Sequence, residues 1–131
     1  MAAPLLEVNE PTVRITVRSH GSTGVHAEFT GVLGQRDPGK LLTHFFDELH
    51  KLMVAQHRST VSVDFRGLRF MNSSCFKYFA KWIKMNNGYP QPHEIHFVLN
   101  REFHWQEVSI HALRCFSQKE ITIEKVAGQG A

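Results

Sequence analysis

The residues best placed to do chemistry in this chain are the four from Asn72 to Cys75, which read Asn-Ser-Ser-Cys. Asparagine often caps a helix, because its side-chain oxygen accepts a hydrogen bond from a free backbone N–H group. The hydroxyls of Ser73 and Ser74 then fall in the first turn, where free N–H groups and the helix dipole favour added negative charge. Phosphorylation would add roughly −1.5 to −2 charges at pH 7. The segment therefore predicts either a plain helix cap or a phosphorylation site.

Catalytic and metal chemistry have less support in the sequence. Nine histidines are present, but no two have the i, i+4 spacing of a zinc-binding helix, so we expect no metal site. Ser73, Asp64 and a histidine could form a hydrolase triad, yet the strained G-x-S-x-G turn that exposes such a serine is absent. Cys75 could be a thiol nucleophile near a helix start, or a small buried residue. We expect a protein that is not an enzyme and holds no cofactor.

The helix predicted after Ser74 carries side chains that suit a protein-binding surface. Lys77, Tyr78, Lys81 and Trp82 put an aromatic pair, spaced four apart, beside lysines. Aromatic side chains commonly anchor protein interfaces. The alternative is an ordinary solvated helix face.

The length and composition indicate one domain. The chain has 131 residues and a net charge of +3, with no run of five basic residues, so we expect no nucleic-acid partner. No apolar stretch is long enough to span a bilayer, and Met1 to Pro11 lacks the pattern of a signal peptide. Two cysteines, Cys75 and Cys115, are too few for a disulfide scaffold. We therefore expect a cytoplasmic protein with reduced thiols.

Residue periodicity predicts an α/β fold with the element order β-β-α-β-α-β-α-β. Alternating apolar residues predict strands at Val13–Arg18, Val25–Leu33, Val61–Phe65, Glu94–Leu99 and Ile121–Lys125. Apolar residues at helical spacing predict helices at Asp37–Gln56, Asn72–Gly88 and Trp105–Phe116. Because a crossover between parallel strands is right-handed, we expect a two-layer mixed sheet with helices mainly on one face.

The domain bounds follow from where this periodicity begins and ends. Residues 1–11 lack it and are predicted to be a flexible N-terminal tail, with residues 12–127 as a single domain. Residues 128–131 are predicted to be a C-terminal tail, and Gly67 to Met71 a short connection before the second helix.

The segment from Val61 to Ile83, VSVDFRGLRFMNSSCFKYFAKWI, resembles the central motif of STAS domains. This fold is shared by anti-sigma-factor antagonists and the tails of sulfate transporters. In that family an apolar strand leads through a short loop to a phosphorylatable serine or threonine that opens a helix. The resemblance covers roughly Val13 to Val126 and implies a STAS-like two-layer fold.

Within that family the motif is closer to the SiaC-like branch than to the anti-sigma-factor antagonists. The antagonists have Asp-Ser-Ser-Gly-Leu here, whereas Asn72 and Cys75 replace the Asp and the Gly. The SiaC-like motif resembles Asn-Thr-Ser-Ser followed two residues later by Lys, which Lys77 matches. This resemblance implies phosphorylation at Ser73, with Ser74 as the second candidate. It also implies a kinase and a phosphatase, and an unphosphorylated form that binds and activates a diguanylate cyclase.

We therefore expect a regulatory protein whose docking surface combines the start of the second helix with the loop from Gly34 to Asp37. Its target would be a diguanylate cyclase, or an anti-sigma factor or kinase. Two alternatives remain: a constitutive STAS-type regulatory subunit of a transporter or complex, and a small hydrolase or thiol enzyme. The predicted partner-binding residues, besides Ser73, are Asn72, Lys77, Tyr78, Lys81, Gln35 and Asp37.

Overall fold

One six-stranded sheet and three α-helices make up the part of the chain that the structure, a computed structural model, describes: residues 3–117 and 121–127. The strands are β1 Leu6–Asn9, β2 Val13–His20, β3 Gly24–Leu33, β4 Thr60–Met71, β5 Glu94–Asn100 and β6 Thr122–Val126. The helices are α1 Gly39–Ala55, α2 Phe76–Asn87 and α3 His104–Leu113, with short 3-10 turns at Ser73–Cys75 and Arg114–Phe116.

The strands lie in the sheet in the same order as in the chain. β1, β2 and β3 pair antiparallel, whereas β3, β4, β5 and β6 pair parallel, with one helix in each parallel connection. Since right-handed crossovers that all advance in one direction place their helices on the same face, the molecule has two layers. The predicted mixed α/β architecture is confirmed.

The first strand corrects the prediction of a flexible tail over residues 1–11. Leu6–Asn9 pair with β2, so that Leu6 lies opposite Val17 and Val8 opposite Ile15. Leu6 and Val8 pack against the core, and the backbone N–H of Leu5 donates to the carbonyl of Val17 at 2.7 Å. Leu6 to Asn9 do alternate apolar with polar residues, so a short strand signal was present in the sequence and was missed. The predicted tail at 128–131 lies outside the described residues.

Aromatic rings pack the sheet against the helices. Phe65 of β4 packs edge-to-face against Phe29 of β3 and Phe79 of α2, with ring centroids 5.3 and 5.6 Å apart. All three rings are fully buried. Edge-to-face pairs contribute about 0.5–1.5 kcal/mol beyond their buried area. This packing holds α2 against β3 and β4.

The opposite face of the sheet carries a buried carboxylate, Asp64 of β4. Its oxygens accept hydrogen bonds from the Arg66 backbone at 2.9 Å and from Arg66 Nη2 at 2.7 Å, and Oδ2 lies 3.0 Å from His26 Nε2. Burial alone would raise the pKa of Asp64, but hydrogen bonds from His26 and Arg66 outweigh it and hold that pKa well below its usual range. The aspartate therefore stays ionised within this network.

The second half of β4 is held differently from the first half. β4 pairs with β5 only from Thr60 to Asp64. Beyond that point Gln106 of α3 replaces the ladder: its Nε2 donates to the carbonyls of Phe65 and Leu68 at 2.6 and 2.8 Å, and its Oε1 accepts from the Asn100 backbone at 2.8 Å. The segment predicted as a connection, Gly67 to Met71, is thus strand, paired only with β3.

Candidate phosphorylation and partner-binding site

Asn72 ends β4 and starts the helical segment that follows. Its backbone N–H donates to the carbonyl of Leu33 at 2.7 Å, which fastens it to the end of β3. Its side-chain oxygen accepts from the backbone of Ser74 at 3.2 Å, so the predicted capping role is confirmed. The cap opens a 3-10 turn, Ser73–Cys75, and α2 proper begins at Phe76.

The two serines of this turn differ in access. Ser73 is exposed, whereas the Ser74 hydroxyl is buried and has no hydrogen-bond partner among the described residues. Ser73 is therefore the more accessible of the two serines to another protein.

The catalytic alternatives find no support at this position. Cys75 is fully buried, and burial raises the pKa of its thiol to about 11, so the reactive thiolate is scarce near neutral pH. Asp64, the predicted acid of a hydrolase triad, instead bonds His26 and Arg66 on the other face of the sheet. The structure does not bring Asp64 to Ser73.

A row of exposed lysines follows Ser73 along α2. Lys77, Lys81 and Lys84 come four, eight and eleven residues after Ser73, so one helix face carries them, and all three are exposed. The Lys77 ammonium lies 5.3 Å from the ring centroid of Tyr78. No acidic residue occurs between Asp64 and Glu94, although five basic ones do: Arg66, Arg69, Lys77, Lys81 and Lys84. The stretch is therefore basic, with Arg66 paired to Asp64 on the other face of the sheet.

The predicted loop residues lie next to the helix start. The Asn72 side-chain amide donates to the backbone carbonyl of Gln35 at 3.5 Å, while Gln35 Oε1 is buried without a partner among the described residues. Asp37 is exposed and accepts from the Gly39 backbone at 3.4 Å, just before α1 begins. A Cβ atom at Gly39 would collide with the Tyr78 ring and hydroxyl, so glycine lets α2 approach α1 here.

The prediction that Trp82 belongs to the exposed surface of α2 is wrong. It is only 3% exposed and stacks on Phe46 of α1, with ring centroids 4.7 Å apart and planes 11° apart. The tryptophan thus fastens α2 to α1. Tyr78, one turn earlier, remains half-buried at the edge of the surface.

The exposed aromatic that sequence reasoning missed is Phe70, near the end of β4. It is 52% exposed and lines a groove of about 620 Å³ beside Ser73. Trp105 of α3 is held in the groove wall by a hydrogen bond from Nε1 to the Arg69 carbonyl at 3.0 Å. The full lining is Phe70, Met71, Asn72, Ser73, Phe76, Trp105 and Ser109.

Comparison with known proteins identifies the fold. No family model matches the sequence, and no curated protein is significantly similar to it. The structure is similar to SiaC in the crystal structure of the diguanylate cyclase SiaD with its activator SiaC from Pseudomonas aeruginosa. That match has a TM-score of 0.65 and 12% identity, and covers 92% of this chain and 99% of that one. The chain has a STAS-like fold.

A second structure supports the same assignment. An anti-sigma factor antagonist from Mycobacterium paratuberculosis matches with a TM-score of 0.59 and 12% identity, over 88% of this chain and 90% of that one. The STAS-like architecture predicted from the central motif is thereby confirmed. Among the described residues, no helix has the length and apolar character needed to cross a membrane.

Proposed function

We propose that the protein is a non-enzymatic regulator that binds a target protein through the surface around Ser73 and releases it when Ser73 is phosphorylated. One observation carries the proposal: Ser73 is an exposed hydroxyl at the start of a helical segment whose outer face carries three lysines and no acidic residue. The similarity to SiaC, an activator of a diguanylate cyclase, and to an anti-sigma factor antagonist supports a regulatory role.

The switch would act through charge. In the unmodified protein, the lysines after Ser73 attract an acidic surface of the target. A phosphate would bring roughly −1.5 to −2 charges to that position, one helical turn before Lys77. It would lie near the positive end of the helix dipole and partly neutralise the lysines. The acidic target would then meet a phosphate and lose its attraction to the surface.

The proposal includes a kinase and a phosphatase that act on Ser73. It also includes a cytoplasmic location, because a kinase that acts on Ser73 needs ATP. The target would be a diguanylate cyclase, by the similarity to SiaC, or an anti-sigma factor or kinase, by the similarity to the antagonist. Ser74 is a secondary candidate, because its hydroxyl is buried.

The decisive experiment compares variants of Ser73 with a matched charge change elsewhere. Full-length wild type, Ser73→Ala, Ser73→Asp and Ser22→Asp would be used to capture and measure the native target. Ser22 is an exposed serine in the turn between β2 and β3, near the start of β4 rather than its end. We expect Ser73→Asp to weaken target binding at least about 10-fold, while the other two variants bind like wild type.

Two results would contradict the switch. Equal binding by Ser73→Ala and Ser73→Asp would favour a constitutive regulatory subunit instead. Mass spectrometry of the protein after incubation with host lysate and ATP gives the second test, because modification confined to residues other than Ser73 and Ser74 excludes this phosphosite.

A further inference from the structure

An open apolar groove lies directly against the proposed phosphosite. Ser73 is at one rim, and Phe70, Phe76 and Trp105 supply aromatic walls. Its volume of about 620 Å³ falls in the range of roughly 300–1,000 Å³ that is usual for binding pockets. Because the Trp105 indole is fixed by its bond to the Arg69 carbonyl, this wall is already ordered before anything binds.

Exposed apolar side chains continue from the groove onto the neighbouring surface. Phe70 is 52% exposed, and Val108, on the same helix as Trp105, is 59% exposed. Large apolar side chains are usually buried, and a cluster of exposed ones typically marks a binding surface. The groove therefore favours an occupant that is itself apolar at the point of contact.

The charge around the groove specifies the rest of that occupant. Arg69 and Lys77 are exposed and adjoin the lining residues Phe70 and Phe76 in the chain, within the stretch that has no acidic residue. On α3, the carboxylate of Glu107 is paired with Lys125 at 3.1 Å. The chain next to Phe70 and Phe76 thus carries basic side chains and no acidic ones, which complements an acidic partner.

We infer that this groove receives a large apolar side chain from an acidic segment of the target protein, so that one binding event fills the groove and covers Ser73. This inference rests on the proposed function and specifies the chemistry of its target. The apolar side chain would provide an anchor in a desolvated pocket, and the acidic residues beside it would contact the lysines of α2. Phosphate on Ser73 would then lie at the edge of the anchor site and repel the same acidic segment.

A random peptide library tests the chemistry directly. Peptides of 16 residues displayed on phage would be selected on the immobilised full-length protein, and the enriched sequences synthesised with a fluorescent label. We expect them to be acidic and to share a Leu, Ile, Met, Phe or Trp. Polarisation titrations would then compare wild type with Phe70→Ser and with Val54→Ser. Val54 is a matched control because it is 56% exposed on α1, away from the groove lining.

The expected result is a Kd raised at least about 10-fold by Phe70→Ser and less than about 2-fold by Val54→Ser. Selection of basic peptides, failure to enrich any apolar consensus, or unchanged affinity in Phe70→Ser would overturn the inference. The inference would also be overturned if a 20-nucleotide single strand displaced the peptide from wild type and bound Phe70→Ser more weakly. The groove would then be a nucleic-acid site.

The native target separates this inference from the proposed function. If Phe70→Ser binds that target as well as wild type while Ser73→Asp does not, the groove assignment fails and the switch stands. If Phe70→Ser loses the target while Ser73→Asp keeps it, the groove stands and the switch fails.

Discussion

The two halves of β4 differ in how they are held, and the difference separates scaffold from site. From Thr60 to Asp64 the strand pairs on both sides, with β3 and with β5. From Gly67 to Met71 it pairs with β3 alone, and Gln106 takes the place of the missing neighbour. Pairing on both sides holds the first half of β4. Pairing with β5 ends before the part of the chain that carries Phe70 and Ser73 at the surface.

Polar groups show the same division. Asp64, in the first half, uses both carboxylate oxygens in hydrogen bonds. Beyond the second half, the Ser74 hydroxyl and Gln35 Oε1 are buried near Asn72 without partners among the described residues. A buried polar group left unpaired costs about 1–3 kcal/mol. These two groups are therefore expected to lower stability next to Asn72.

The largest expected effect on stability comes from replacing Gln106, whose side chain bonds the backbone groups that have no neighbouring strand. In Gln106→Leu, the carbonyls of Phe65 and Leu68 and the backbone N–H of Asn100 lose their partner in a buried position. We expect the free energy of unfolding to fall by about 4 kcal/mol, measured by urea denaturation.

The control for this change is Gln91→Leu, the same substitution at an exposed position. It should alter the free energy of unfolding by no more than about 0.5 kcal/mol. A loss below about 1 kcal/mol in Gln106→Leu would mean that pairing with β3, with the bonds from Trp105 to Arg69 and from Asn100 to Arg66, suffices to hold the second half of β4. The contrast between the two halves would then have no energetic basis.

The regular half of this comparison could be predicted from sequence. Val61, Val63 and Phe65 alternate with polar residues because one face of the strand is buried, and that rule depends on local periodicity alone. The same logic identified α1 from its wide apolar stripe. The capping role of Asn72 was also predictable, since it depends on the residue type and on the apolar run that follows.

The second half of β4 and the start of α2 were harder to predict, because they depend on contacts between distant segments. The pairing of β3 with β4 shifts register twice, between Glu28 and Thr30 and between Gly31 and Val32, which breaks the alternation that would place Phe70 inside or outside. Trp82 comes three residues after the buried Phe79, so the apolar stripe of α2 was a signal for its burial that sequence reasoning did not use. Its stacking on Phe46 of another helix could not be predicted from α2 alone. The sequence therefore predicted the helix start that carries Ser73, whereas it placed Trp82 on the exposed surface and missed the exposed ring of Phe70.

The second prediction tests the scaffold half through pH. Because the pKa of folded Asp64 lies well below its unfolded value near 3.8, the unfolded chain takes up a proton first as the pH falls. The stability that Asp64 contributes is thus fully present above about pH 4 to 5 and is lost progressively in more acidic solution. In Asp64→Asn we expect a loss of about 3 kcal/mol at pH 7, and a loss smaller by about 1 kcal/mol at pH 3.

Urea denaturation of wild type and Asp64→Asn at pH 7 and pH 3 checks this. Glu10→Gln, which neutralises an exposed carboxylate in the same chain, should show no such convergence. A difference between wild type and Asp64→Asn that stays constant or grows on acidification would show that Asp64 is not held ionised by Arg66 and His26.

The smallest expected change in the free energy of unfolding is at Ser73, and it is a gain in stability. Ser73→Asp places a negative charge beside the first-turn N–H groups and one turn before Lys77, so it should raise the free energy of unfolding by about 0.5 kcal/mol. Thermal denaturation should show a slightly higher Tm than wild type, whereas Ser73→Lys should lower it. Ser22→Asp, in a turn, should leave it unchanged. This sign matters because a more stable protein that has lost its target has lost it through surface charge. A Ser73→Asp protein destabilised by more than about 1 kcal/mol would instead attribute the lost binding to a damaged helix start.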